Sequence, residues 1–278
     1  MDVREVDRNG PATDRTDRVP PTRSSARYTA SFFGAFRVTI DNQVIGDQTR
    51  RNRSILLLKW FLLNPGRQIG TDELCALFWP GRRKDSAVNN LQVSLNHLRR
   101  VLEPRIRTRG SSSFIRRSGR YNHYRFDHRD LWWTDAWDVR DLSAAARNAD
   151  RHGERTSAMS LYEQVADYYR LSFLPEDVYE DIFAPYRQEH DLANVRCLNR
   201  LMQLHLQTSQ LPKALFCATE LLRIDPYSRD AVKTIVEVRA QQGDIAGAVR
   251  QLDDFFHALE REMGIAPGKE LINLRNSL

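Results

Sequence analysis

Between positions 31 and 40 the residues Phe32, Gly34, Phe36, Val38 and Ile40 partly alternate with small or polar neighbours. A period of two marks an extended segment with one buried face. Asp41-Asn42 then supplies a turn, and Val44 and Ile45 resume the extended pattern, which predicts a small antiparallel element. After Gly46 the period lengthens. Residues 54–63 place Ile55, Leu58, Phe61 and Leu62 on one helical face, and Asn64-Pro65-Gly66 stops the helix. Thr71 reads as an N-cap ahead of Asp72 and Glu73, with Leu74, Leu77 and Phe78 forming the apolar side of a short helix that ends at Trp79-Pro80-Gly81. A third helix is predicted over about 85–102, before Pro104. Extended segments at about 106–109 and 114–126 then flank the Gly110-Ser111-Ser112-Ser113 stretch as a basic hairpin.

The pattern changes in kind after Trp132, Trp133 and Trp137. Consecutive helices are predicted over about 139–152, 156–169, 183–208, 212–224, 229–242 and 245–263. Within them Leu211, Ala214, Leu215, Leu221 and Leu222 recur as Ile245, Ala248, Val249, Phe255 and Phe256, each 34 positions later. That is the period of tetratricopeptide helix pairs, in which a small alanine lets the paired helices approach. The fold expected is an α+β winged helix followed by an all-α tetratricopeptide-like helical repeat domain. Its divisions are a disordered basic arm over 1–27, a winged-helix domain over 28–130 and a helical domain over 131–278. Residues 1–27 are rich in Arg, Asp, Thr and Pro and almost lack large apolar side chains, so they do not offset the entropy of ordering.

Charge adds a direction to this layout. Residues 1–130 hold 25 Lys and Arg against 13 Asp and Glu, whereas residues 131–278 hold 17 against 23. The net charge of +6 therefore hides a basic half suited to a polyanion and an acidic half that is not. Seven arginines and no acid lie between Arg105 and Arg125, interleaved with Phe114, Tyr121 and Tyr124. No apolar run approaches the roughly 18 residues of a membrane span, and the charged start lacks a signal peptide's apolar stretch, so a cytoplasmic protein is expected. The cysteines Cys75, Cys197 and Cys217 lack CxxC spacing and read as buried thiols.

At 100° per residue, Ala87, Val88, Leu91, Leu95, Leu98 and Leu102 of the third helix fall within about 60° of one direction. Ser86, Asn89, Val93, Asn96, His97 and Arg100 fall opposite, on a face rich in amides and free of acid. Such a face suits the major groove, because amides pair with adenine edges, Arg with guanine O6 and N7, and Val93 with a thymine methyl. Arg99 and Arg100 divide the work, one nearer a phosphate and one nearer a base. An arginine-rich hairpin beside this helix forms a phosphate or minor-groove clamp.

Several segments carry a family resemblance: Phe33-Gly34-Ala35-Phe36, Asn64-Pro65-Gly66-Arg67, Glu73-Leu74-Cys75-Ala76-Leu77-Phe78-Trp79-Pro80, and above all Ser86-Ala87-Val88-Asn89-Asn90-Leu91-Gln92-Val93 with Leu98-Arg99-Arg100-Val101-Leu102. With Glu260-Arg261-Glu262-Met263-Gly264-Ile265-Ala266-Pro267-Gly268 at the far end, residues 29–278 resemble the antibiotic regulatory protein family of actinobacteria (SARP). The resemblance implies an OmpR-like winged helix joined to a bacterial transcriptional activator domain. It implies binding to direct repeats near promoters, side-by-side dimers on DNA and recruitment of RNA polymerase holoenzyme, without a cofactor. Asn89, Gln92, Val93, Asn96, His97 and Arg100 would face DNA, with Arg116, Arg117 and Arg120 in the wing. The chain departs from the family at Ser94, at His97 and over Arg120-Tyr121-Asn122-His123.

Other functions fit less of the chain. The carboxylates Glu176, Asp177, Glu180 and Asp181 stand among Pro175, Tyr179, Phe183 and Pro185, as at a helix start where acids complement the dipole. The seven histidines form no HExxH or similar metal spacing, so no enzyme and no metal site is expected. A helical-repeat scaffold or a ligand-responsive repressor is the alternative, although a scaffold alone leaves the basic half unused. Trp132, Trp133, Trp137, Tyr168, Tyr169, Phe173 and Tyr179 line a pocket or join the two domains, and domain packing is the favoured role. The boundary after residue 130 predicts that deleting 131–278 preserves some DNA binding.

Overall fold

The computed structural model describes residues 21–45, 53–104, 112–118, 122–127 and 131–278. Strands β1 (Tyr28–Ser31), β2 (Arg37–Ile40) and β3 (Gln43–Val44) open an antiparallel sheet. Asp41 and Asn42 both take positive φ, 49° and 64°, the backbone that a two-residue hairpin turn requires. Helix α1 (Arg53–Leu63) is buried from Ser54 through Leu62, so Lys59 in its middle lies in the interior. Strand β4 (Gln68–Gly70) leads into α2 (Thr71–Phe78), and α3 (Lys84–Leu102) packs on both α1 and α2.

The hairpin lies later than its glycine and serines suggest. It is formed by β5 (Ile115–Ser118) and β6 (His123–Phe126), with β4 paired on the other edge of β6. The predicted extended segment 106–109 and the expected wing residue Arg120 lie outside the described residues. Thr71 is the first residue of α2, and Gly70 is its N-cap. The Thr71 hydroxyl instead donates to the Asn122 carbonyl at 2.7 Å, because β4–β6 pairing brings the wing turn against the helix start.

Residues 1–20 of the expected arm lie outside the described residues, and residues 21–27 are structured. The Thr22 carbonyl accepts from Ser25 and Ala26 N–H, Ala26 is buried, and the Arg23 guanidinium lies 5.5 Å over the Trp133 ring. That ring belongs to β7 (Trp132–Thr134), which pairs in parallel with β1 and completes the sheet order β3-β2-β1-β7. Trp132 stacks on Tyr28 at 5.0 Å and meets Phe114 and Phe126 edge-on.

Directly after β7 the chain enters α4 (Asp135–Arg151), followed by α5 (Arg155–Tyr168), α6 (Ala184–Gln207), α7 (Leu211–Ile224), α8 (Arg229–Gln241), α9 (Ile245–Ala258) and α10 (Lys269–Ser277). A π-turn, Leu259–Met263, extends α9. The 34-residue repeat appears as α7 and α9, equal in length and each burying its alanine, Ala214 or Ala248. The turns before them hold Ser209 and Gly243 in the left-handed region, also 34 positions apart. The architecture is an α+β winged helix followed by tetratricopeptide-like helices.

The two parts share one hydrophobic core running from Tyr28 through α1 and Trp132 to α8. Phe33 bridges to Phe173, Gly34 N–H donates to the Ser172 carbonyl at 2.9 Å, and Leu174 N–H donates to the Phe32 carbonyl at 2.9 Å. The Trp137 indole donates to the Leu62 carbonyl at 2.7 Å. Of the aromatics expected to join the domains, Trp132, Trp137, Tyr168, Tyr169 and Phe173 lie at this junction, whereas Tyr179 is 95% exposed.

Asp135 holds the junction from below. Its buried carboxylate accepts Phe32 N–H at 2.8 Å and Phe33 N–H at 3.1 Å. Burial pushes the carboxyl up from its ordinary 3.8 to about 6, against the opposing pull of the Phe32, Phe33 and Ala136 N–H groups and of Arg23. A folded carboxyl above its unfolded value binds more protons than the unfolded chain between those two pH values. The stability it contributes is thus fully present below about pH 4 and is lost as pH rises through about 6. Comparing urea unfolding of wild type and Asp135→Asn across that window should show a falling difference in ΔG. A pH-independent difference would contradict the assignment.

Candidate nucleic-acid interface

Helix α3 is amphipathic along its length. Ala87, Leu91, Ser94, Leu95, Leu98 and Leu102 are buried, with Val88 half-buried beside them. On the other side Ser86, Asn89, Gln92, Val93, Asn96 and Arg100 are exposed, and Val93 leaves 61% of its surface in solvent. An exposed apolar side chain between amides is a suitable contact for a base methyl. From Ser86 to Leu102 the helix holds no acid, while Asp85 stands exposed in the first turn.

Two of the expected site residues are turned towards the protein. His97 is half-buried, with its Nδ1 shielded from solvent and lacking a hydrogen-bond partner. Arg99 spans α3 and the wing: one guanidinium nitrogen donates to the Ile115 carbonyl at 3.2 Å and the other to Asn96 Oδ1 at 3.3 Å. Because an arginine only donates, it faces the amide oxygen, and Asn96 keeps its NH₂ for an outside acceptor. Arg100 is exposed about three turns from Asn89 and on the same face.

The wing gathers more cations than the wheel of α3 reveals. Strand pairing sets Arg116 directly opposite Arg125, with Gln68 opposite Arg125 on the other edge. Like charges directly opposed across a ladder are destabilising unless an anion meets them. Arg116 is half-neutralised by Asp127 at 3.3 Å, and Arg117 donates to Asn122 Oδ1 at 3.1 Å while lying over the Tyr124 ring. These side chains and His123 surround a shallow depression of about 220 Å³. Arg125 was legible only as part of the arginine count, since its partner is set by register. Arg82 and Arg83, exposed just before α3, are further cations that the helical wheel leaves out.

The acidic cluster is structural in an unexpected way. Asp177 is buried and pairs with Lys59 of α1 at 2.5 Å, and Glu180 pairs with Arg53 at 3.1 Å. The cluster thus clamps the helical domain to α1, where the sequence had suggested a helix-dipole role. Among the described residues no group of three or more His, Cys, Asp or Glu is placed to hold a metal ion, and no helix is long and apolar enough to cross a membrane.

The fold is similar to that of Mycobacterium tuberculosis EmbR, solved in complex with a low-affinity phosphopeptide. The TM-score is 0.73 at 16% identity, over 90% of this chain and 64% of that one, so the chain spans just under two thirds of EmbR's length. A second likeness, to the C-terminal TPR-containing domain of a Plasmodium falciparum protein described as FK506-binding, covers 51% of this chain and 86% of that one. Its TM-score of 0.38 at 15% identity is too weak to weigh. No curated protein matches the chain. The bacterial transcriptional activator domain matches residues 134–278, more than half of the chain, which begin at the strand β7 that locks the helices onto the winged helix. The chain therefore belongs to the bacterial transcriptional activator domain family.

Proposed function

We propose that the protein is a cytoplasmic, sequence-specific activator that binds double-stranded promoter DNA. Helix α3 lies in the major groove and the β5–β6 wing lies against the adjacent backbone. The observation that carries this reading is the acid-free outer face of α3 beside a wing whose arginines oppose one another across the ladder. Asn89, Gln92, Val93, Asn96 and Arg100 meet base edges, while Arg116, Arg117 and Arg120 position the wing, with Arg82, Arg83 and Arg125 as further phosphate contacts. Arg99 and His97 act from behind, orienting Asn96 and supporting the helix. With its oxygen held by Arg99, Asn96 reads an acceptor such as guanine O6 or N7, or thymine O4, in place of the two-sided adenine pattern.

One protomer presents one such helix, so two protomers on direct repeats lengthen the site and raise discrimination. The acidic helical domain supplies contacts between protomers and to RNA polymerase holoenzyme. The bias towards activation over repression comes from the family resemblance.

Binding to cognate duplex, random duplex and single-stranded RNA, each measured across a salt series, tests the reading. Cognate duplex is expected to bind tightest, with affinity falling steeply as salt rises. Asn96→Ala and Arg100→Ala should each lower the cognate-over-random preference by about 1–3 kcal/mol. Arg116→Ala should weaken both duplexes alike and reduce the salt slope by about one. Equal, weak binding to every polyanion, or full cognate preference in both α3 variants, would sink the proposed reading face.

A further inference from the structure

The start of the wing is tied to the end of α3 at two places. At the helix end, the Glu103 carboxylate accepts the Ser112 hydroxyl at 2.5 Å and Ser113 N–H at 2.9 Å, and Ser112 Oγ in turn accepts Ile115 N–H at 3.0 Å. Ile115 is buried and stands opposite Phe126 in the hairpin, so its carbonyl is a fixed point. One turn back along α3, Arg99 donates one guanidinium nitrogen to that carbonyl at 3.2 Å and the other to Asn96 Oδ1 at 3.3 Å. Arg99 is half-buried and its Nε is shielded from solvent, so the head group is held among protein atoms.

A planar guanidinium that spans two acceptors orients both of them. The exposed Asn96 side chain is turned with its oxygen towards Arg99, which leaves the amino group as the free end. An asparagine without such a tie offers adenine both partners, its oxygen to N6–H₂ and its amino group to N7. Here the oxygen already accepts from a cation, and a base amino group approaching its second lone pair meets that positive charge. Guanine O6 and N7, or thymine O4, only accept, and they meet the Asn96 amino group without the conflict.

We infer that Arg99 is a specificity-determining positioning residue: it touches no base itself, and by holding the Asn96 amide from the wing side it turns that position against adenine. The inference rests on the proposed DNA-binding function. It also makes the seat of the wing on α3 a condition of base choice, since the carbonyl that anchors Arg99 belongs to β5.

Selection from a randomised duplex pool by the full chain, with the bound DNA sequenced, tests it. The proteins compared are wild type, Asn96→Ala, Arg99→Met, Arg99→Lys and the double variant Asn96→Ala with Arg99→Met. In wild type, the base pair whose preference disappears in Asn96→Ala is expected to carry guanine or thymine. Arg99→Met keeps the aliphatic stem without the guanidinium and should move that one position towards adenine about tenfold, as one bidentate pair implies. Arg99→Lys keeps the charge without the planar fork and should shift the same position in the same direction by less, so the test stands even if the methionine variant is unstable. The double variant should match Asn96→Ala, because Arg99 acts only through Asn96. If Arg99→Met weakens every sequence alike and leaves the preference intact, Arg99 is a phosphate contact and the inference is overturned. Adenine at the Asn96 position in wild type would overturn it as well, while leaving α3 as the reading helix. Only an Asn96→Ala protein with every preference unchanged would remove the proposed reading face together with the inference.

Discussion

Asp177→Ala is expected to destabilise the protein by about 3–5 kcal/mol, because it strands the Lys59 ammonium inside the molecule. Lys59 is 1% exposed in the middle of α1, over the Phe36 ring, and its carboxylate partner arrives from a short 3-10 turn far along the chain. A lost surface ion pair changes little, but a buried charge left alone keeps its full desolvation cost. Removing both charges has the opposite sense: Lys59→Met with Asp177→Leu should recover most of the loss. Chemical denaturation of the two single variants and the double variant measures all three values. If Asp177→Ala unfolds within about 1 kcal/mol of wild type, the pair is not holding the helical domain against α1.

Cutting the chain after residue 130 should abolish the winged-helix fold together with its DNA binding, contrary to what the domain boundary in the sequence suggests. The cut removes β7 from the edge of β1, takes Trp132 from between Tyr28, Phe114 and Phe126, and deletes the carboxylate that accepts Phe32 and Phe33 N–H. Trp132→Ala alone should cost about 3–5 kcal/mol, as large core truncations do. Circular dichroism and DNA binding of a chain ending at Asp130, beside those of Trp132→Ala in the full chain, give the result. A cooperatively folded, DNA-binding fragment would show that the shared core is not needed. The consequence for regulation is direct. Because the reader and the helices share one core, a shift in the helical packing at Phe33 or Asp177 bears on the sheet and on α1, on which α3 rests.

What was legible in the sequence is what local periodicity controls. Helices α1, α3, α7 and α9 begin within a residue of their predicted starts, since each carries its apolar stripe and its stop signals within its own length. The outer face of α3 was legible for the same reason: naming the packed stripe of Leu91, Leu95 and Leu98 names its opposite. The Asp41-Asn42 turn and the 34-residue repeat are equally local.

The rest depended on partners remote in the chain. Three residues, Trp132–Thr134, are too short to show a period, and only pairing with β1 makes them a strand. Lys59 reads as a solvated lysine until Asp177, 118 positions away, meets it. The wing turn was drawn to Gly110 and its serines by composition, yet register with β4 decides it and sets Arg116 against Arg125. Arg99 was expected at the DNA, and its reach to the Ile115 carbonyl follows from the wing's place beside α3. The sequence by itself determined which helices form and which faces they bury, because helical periodicity needs only neighbours within a turn or two. The tertiary structure alone decided strand pairing, the buried ion pair and the fusion of two predicted domains into one core, because those contacts join residues that sequence proximity never links.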